Sequence, residues 1–262
     1  MDPLEAIALG IVQGLTEFFP VSSSGHLVLA ESLLGVNPPG LSFEILVHLA
    51  TVAAVIAVYR KRLVALALGA ARGQPDALRY IGKLFVASVP AAVVGIWLFD
   101  AVTEAFDSPR LVAVSLLVTG GLVYTTRWLV ALGERSEPTW PGSLGVGVAQ
   151  AISLLPGISR SGATVVAALA NRTERVAAAE FSFLLSVPAI LGASALEIPG
   201  LSVAELGLGP GTLAAALVSA FIAAVFALVL FVRWLQGGRF HLFAYYCWLV
   251  GGGFLLYTFV AR

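Results

Sequence analysis

Two short polar strings interrupt long apolar runs. TEFFPVSSSGH (16–26) carries Glu17, Ser22, Ser23, Ser24 and His26; PGISRSGAT (156–164) carries Gly157, Ser159, Arg160, Ser161, Gly162 and Thr164. A Gly- and Ser-rich loop entering a helix turns backbone N–H groups toward an anion. Arg160 adds a permanently charged planar fork that matches phosphate oxygens. Glu17 is the carboxylate of the first string, and Gln13 lies one helical turn before it. Together they could hold a divalent cation that also leans on phosphate oxygens, as Mg²⁺ does; Ca²⁺ and Mn²⁺ stay open. His26 titrates near neutrality and could move a proton. The plain alternatives are a Ser-rich helix cap and a structural Glu17–Arg160 ion pair. His48, inside an apolar run, reads as packing or as support behind the site. His241 reads as interfacial, and Glu31 and Glu44 as solvated.

The surroundings are those of a membrane protein. Of 262 residues, 59% are hydrophobic and 11% charged, against about 25% charged in soluble domains. A net charge of zero implies no nucleic-acid partner. Cys247, the single cysteine, offers neither a disulfide nor a zinc site. The acidic start, MDPLEAIALG, lacks the basic region of a cleavable signal peptide.

Six stretches are long and apolar enough to span a bilayer, roughly 43–59, 81–99, 111–130, 178–197, 212–232 and 242–260. Pro90 and Pro188 predict kinks in two of them. The stretches 4–35 and 143–170 are apolar but broken by the two polar strings, and each half is too short to cross. Irregular backbone at membrane depth survives only where protein shelters it, so both read as re-entrant helix–loop–helix hairpins, with kinked spanning helices as the alternative. Arg60, Lys61, Arg62, Arg72, Arg79, Lys83, Arg127, Arg135, Arg172, Arg175, Arg233 and Arg239 fall in alternate loops, which places 60–83, 131–142, 171–177 and 233–241 in the cytoplasm. Asp100, Glu104, Asp107, Glu197 and Glu205 fall in the opposite loops, with Arg110 the one exception, and Arg262 ends the chain. Both termini then face outside.

The broken segments resemble each other. GIVQGLTEFFPVSSSG (10–25) matches GVAQAISLLPGISRSG (147–162) through Gly10/Gly147, Gln13/Gln150, Pro20/Pro156 and Ser23/Ser159, and FEILVHL (43–49) corresponds to FSFLLSV (181–187). Three spans separate them, so the second copy is inverted, and inverted repeats with broken helices place a site near the midplane. The fold expected is an all-α polytopic membrane protein: six transmembrane helices plus two re-entrant hairpins, in interleaved inverted repeats (about 1–130 and 143–262) of one integral membrane domain, 1–262. Glu17 and Arg160 would meet at depth, where a charge costs about 2.5–3.5 kcal/mol on insertion scales. Gly120, Gly121 and Gly251–Gly253 allow close helix contacts, within one chain or in a homodimer.

QGLTEFFPVSSSGHLVL and LLPGISRSGAT closely resemble the two signature motifs of the undecaprenyl-diphosphate phosphatase (bacitracin-resistance) family, and FEILVHLATVAAV and EFSFLLSVPAI resemble its flanking helices. The resemblance runs along essentially the whole chain. It implies a multi-pass plasma-membrane hydrolase that takes the terminal phosphate from a C55 polyprenyl diphosphate, depends on a divalent cation, opens to the outer face and recycles a lipid carrier for cell-envelope synthesis. By motif position it makes Glu17, Ser23, His26 and Arg160 catalytic, with Ser159 and Thr164 beside them. Gln13 stands where Glu is common in the family, which puts a two-carboxylate metal site in doubt. On this reading Ser23 attacks phosphorus, His26 handles its proton, and Ser22, Ser24, Gly157, Ser159, Ser161, Gly162 and Thr164 line the substrate. Water activated by His26 or Glu17 is the other route. A lipid-phosphate transporter is the competing class, because broken inverted repeats also build transporters.

Overall fold

A computed structural model describes residues 2–34, 41–106, 108–197 and 208–260. Asp107, Glu205 and Arg262 lie outside the described residues, as do the side chains of Glu31 and Glu197. Among the described residues the regular structure is helical, apart from one isolated bridge between Arg135 and Thr173. The α-helices are α1 (Pro3–Phe18), α2 (Ser23–Leu34), α3 (Leu41–Ala71), α4 (Pro75–Trp97), α5 (Phe99–Phe106), α6 (Pro109–Tyr124), α7 (Thr126–Leu129), α8 (Trp140–Ile152), α9 (Arg160–Ala170), α10 (Arg175–Glu197), α11 (Pro210–Gln236) and α12 (Phe243–Val260).

Among the described residues six segments are long and apolar enough to cross a membrane: Phe43–Ala71, Pro75–Trp97, Pro109–Leu132, Arg175–Ala195, Pro210–Gln236 and Phe240–Phe259. Each contains one of the six expected stretches or nearly all of it, and the helices run on through Pro90 and Pro188. Two elements differ from expectation. The basic segment 60–83 is helical except for a tight turn at 72–74, because Arg, Lys, Leu and Ala favour helix. Gly73, at φ +67°, ends α3 in the left-handed conformation that glycine adopts without penalty. The short helix α5, bearing Asp100 and Glu104, fills the link between the second and third spans, which the sequence reading left as a loop.

The polar strings fall between pairs of shorter helices. α1, α2, α8 and α9 have 16, 12, 13 and 11 residues, about 17–24 Å each at 1.5 Å per residue. α1 opens with a reciprocal Asp2–Glu5 cap and Pro3 in its first turn, and stops at Phe18 because Pro20 excludes helix before it. α1 packs along α11, and α8 along α4. Small residues allow both approaches: a side chain at Gly10 would strike the Ala216 carbonyl, and one at Gly147 the Ala87 backbone. Behind α1, Phe18, Phe183, Phe231 and Phe240 stack edge to face at 4.7–5.5 Å, an arrangement favoured by ring quadrupoles. α6 and α12 pack against each other, with Gly120 against Trp248 and Gly251 against Leu116. These two of the expected close-contact glycines are thus used within the chain.

The basic segments bind the helix ends together. Arg62 meets Glu180 at 2.9 Å and also stacks over Tyr80; Lys83 meets Glu137 at 2.7 Å; Arg172 pairs with Glu134. Arg175 donates to the carbonyl of Gln236 at 2.8 Å.

Candidate functional site

The two polar loops meet at one carboxylate. Glu17, in the last turn of α1, is 7% exposed. Its Oε1 pairs with Nη2 of Arg160, the first residue of α9. Its Oε2 accepts from Ser23 Oγ at 2.7 Å and from Gln13 Nε2 at 3.1 Å. Nε2 of His48 lies 3.4 Å from the same oxygen, an ion pair when the ring is protonated. Gln13 donates one turn back along α1, while Ser23 and Arg160 open the helices that follow the two polar loops. Ser23 opens α2 as Arg160 opens α9, so two helix N-termini, each with partial positive charge, flank the carboxylate. One anion thus faces a guanidinium, two helix ends and an imidazole.

Two buried atoms here have no hydrogen-bond partner among the described residues: Nη1 of Arg160 and Oε1 of Gln13. A buried donor or acceptor left unmade costs about 1–3 kcal/mol. Gln13 cannot relieve this by flipping its amide, because its oxygen would then face Glu17. The unpaired donor of Arg160 suits an anionic oxygen, and the unpaired acceptor of Gln13 suits a cation or an incoming proton donor.

The second loop is held from α6. Thr119 Oγ1 donates to the Gly157 carbonyl at 2.8 Å and accepts the Ser159 N–H at 3.0 Å. Gly157 has φ +90°, and its α-carbon lies against the Val112 carbonyl, where a side chain would collide. Ser159 caps α9 by accepting the Gly162 N–H at 3.1 Å, as N-cap serines do. Ser161 Oγ donates across to the Phe19 carbonyl of the first loop at 3.1 Å. Thr164 is turned into the core, donating to the Arg160 carbonyl at 2.7 Å, with Ser182 Oγ at 2.6 Å. Of the residues read from sequence as substrate contacts, Gly157 bonds through its carbonyl, Gly162 through its N–H and Thr164 through its hydroxyl to the loop and its neighbours.

The first loop carries a strained residue. Ser22 has φ +67°, a region sparse for residues with a side chain. Its hydroxyl lies 3.2 Å from that of Ser24, and Ser159 and Ser161 repeat this spacing at 3.2 Å. These pairs, with the matching helix starts, put Ser22 opposite Ser159 and Ser23 opposite Arg160. That register is one residue from the Ser23/Ser159 match read from sequence.

His26 is near the site but faces away from Ser23. Its Nδ1 lies 2.8 Å from the Ser22 carbonyl and its Nε2 2.8 Å from the Tyr246 hydroxyl. The proton-acceptor role expected of His26 toward Ser23 therefore has no hydrogen bond behind it, whereas Glu17 is in place for it. The sequence reading left His48 outside the contact shell and did not single out Tyr246 or Thr119. His48 had a signal, a histidine four residues from Glu44 in the FEILVHL string beside the first motif. Tyr246 and Thr119 had none, since each acts across the fold.

Known proteins resemble this chain along nearly its whole length. The family described as Bacitracin resistance protein BacA matches residues 6–253. A protein of Desulforapulum autotrophicum called undecaprenyl-diphosphatase is 40% identical over 277 aligned residues, covering 100% of both chains. Proteins of the same name from Korarchaeum cryptofilum and Cereibacter sphaeroides are 40% and 41% identical, covering 94% and 89% of this chain and 96% and 87% of their own. With six segments long and apolar enough to cross a membrane among its described residues, and a match over residues 6–253 that takes in both polar loops, this multi-pass chain belongs to the bacitracin resistance protein BacA family.

Proposed function

We propose that this protein is a membrane phosphatase that hydrolyses undecaprenyl diphosphate, or a polyprenyl diphosphate like it, to the monophosphate and orthophosphate. The relatives' names supply the substrate class. The observation that carries the reading is Arg160, held at one end by Glu17 and left with a buried, unpartnered Nη1 at the other. A permanently charged donor without an acceptor, at the meeting of two helix N-termini, is a seat for a phosphate oxygen.

Ser23 is the nucleophile, and Glu17 Oε2, already receiving its hydroxyl at 2.7 Å, takes the proton. The serine oxygen bonds to the terminal phosphorus as the bond to the bridging oxygen breaks, and that electron pair leaves with the polyprenyl monophosphate. Water then cleaves the phosphoserine. Stabilising the phosphoryl charge is the larger part of such catalysis, and Arg160 does this through Nη1. The hydroxyls of Ser22 and Ser24 and the N-terminal turn of α9 line the same space.

The residues fit a divalent cation, though thinly. Among the described residues no group of three or more His, Cys, Asp or Glu could hold a metal ion. Glu17 and the unpaired Oε1 of Gln13 would hold it, with phosphate oxygens completing the shell. These hard oxygen donors favour Mg²⁺, with Ca²⁺ and Mn²⁺ as alternatives. When bound, the cation would neutralise charge on the phosphate.

The membrane placement belongs to the same proposal. α1–α2 and α8–α9 are re-entrant hairpins of two inverted repeats, within one integral domain. Helices shorter than the ~30 Å hydrocarbon core support this. So does the reciprocal packing, in which the first helix of each copy lies on the fourth helix of the other. The basic segments are cytoplasmic, and the site opens to the outer face of the plasma membrane.

The test is phosphate release from a polyprenyl diphosphate by purified protein in detergent with Mg²⁺. Release leaving the monophosphate supports the enzyme. No release, with lipid headgroup movement in liposomes, would move the chain to the transporter class that its broken helices also fit. In the same assay His48→Ala is expected to lower turnover about tenfold, because Glu17 loses one of the groups that fix it, and small misplacements at a reacting centre are costly. Turnover equal to the unaltered protein would remove His48 from the site.

A further inference from the structure

The contacts of His26 lead to a residue on the last span. Its Nδ1 lies against the Ser22 carbonyl, which can only accept, so Nδ1 carries the proton. The neutral ring then has a bare Nε2, and the Tyr246 hydroxyl, 2.8 Å away, donates to it. The rings are stacked, 12° from parallel with centroids 5.5 Å apart. The adjacent Cys247 places its Sγ 3.4 Å from the Pro20 carbonyl, so α12 touches the first loop at two consecutive residues. Otherwise α12 packs chiefly on α6.

The carbonyl that His26 grips belongs to Ser22, the residue held at φ +67°. Such a conformation is strained for a residue with a side chain and persists only where neighbours enforce it. The next residue is Ser23, whose hydroxyl meets Glu17 at 2.7 Å. An unbroken line therefore runs from the Tyr246 hydroxyl to His26, to the Ser22 carbonyl, to the strained turn, to the oxygen that meets the carboxylate.

We propose that Tyr246 is a positioning residue for the reaction, acting through His26 to hold the Ser22 turn that aims Ser23 at Glu17. The inference rests on the phosphatase reading of the site. It gives His26 a mechanical duty, fixing one tautomer and one backbone conformation, and it accounts for a polar side chain on the sixth span that the chemistry itself does not touch.

The experiment is a double-mutant cycle read by phosphate release from a polyprenyl diphosphate. Tyr246→Phe keeps the stacked ring and removes only the hydroxyl. It is expected to lower kcat about tenfold, as a slightly misaimed nucleophile would, with KM within about twofold of the unaltered protein. In a His26→Ala background the same change is expected to have no further effect, because the line is already cut. A Tyr246→Phe kcat within twofold of the unaltered protein would overturn the proposal, and so would an equal fractional loss in both backgrounds. Should Tyr246→Phe fail to fold, ring-nitrogen resonances of histidine-labelled protein carry the test. The His26 signals are assigned by their loss in His26→Ala. Neutral His26 protonated at Nδ1 and bare at Nε2 supports the line; the opposite tautomer refutes it. Absence of phosphate release from the unaltered protein would instead remove the phosphatase reading, so the two failures are told apart.

Discussion

Arg160→Ala is expected to lower phosphate release by at least about a hundredfold, the range seen when one preorganised donor to a transition-state oxygen is removed. Two losses combine. The phosphate loses the unpaired Nη1 donor, and Glu17 keeps a buried negative charge with its strongest partner gone. Breaking a buried pair from one side costs about 3–5 kcal/mol, so thermal stability in detergent should fall as well. Arg160→Lys keeps the charge but cannot serve Glu17 and a phosphate with two ends of one plane. It should recover most of the stability and little of the turnover. Full activity in the lysine variant would mean that charge alone suffices and that the fork has no role.

Ser23→Ala carries the second large effect, a loss of about a thousandfold or more, as when a covalent nucleophile is removed. Because its hydroxyl contributes one of several hydrogen bonds to Glu17, stability should change little. Loss of turnover in a folded protein is the signature. Rapid quenching with substrate labelled in the terminal phosphate should trap label on the unaltered protein and none on Ser23→Ala. Near-normal turnover by Ser23→Ala would exclude the covalent route and leave direct attack by water, with Glu17 as its base.

Glu17 and Arg160 were legible in the sequence because charges inside apolar runs are rare and demand partners. The broken stretches were legible because neither half was long enough to cross a bilayer. Six spans followed from length and hydropathy alone. What stayed hidden depends on tertiary contacts. A lone histidine in an apolar helix usually packs, and only the fold shows that His48 reaches Glu17. Thr119 holds the second loop from 38 and 40 residues away along the chain, a distance no local pattern spans. Thr164 and Gly157 sit in a loop rich in polar groups, and sequence cannot separate those that face a ligand from those that build the turn. The register between the two loops slipped by one because small and hydroxylated residues match easily. The helix starts and paired hydroxyls corrected it.

The meeting of both polar loops on one carboxylate is tested most directly by adding Glu17→Gln to Arg160→Ala and measuring thermal unfolding beside phosphate release. With no charge left to bury unpaired, the double variant should unfold at a higher temperature than Arg160→Ala and release phosphate no more slowly than the worse single variant. If the stability losses add and the rate losses multiply, Glu17 and Arg160 act independently, and the site described here does not exist.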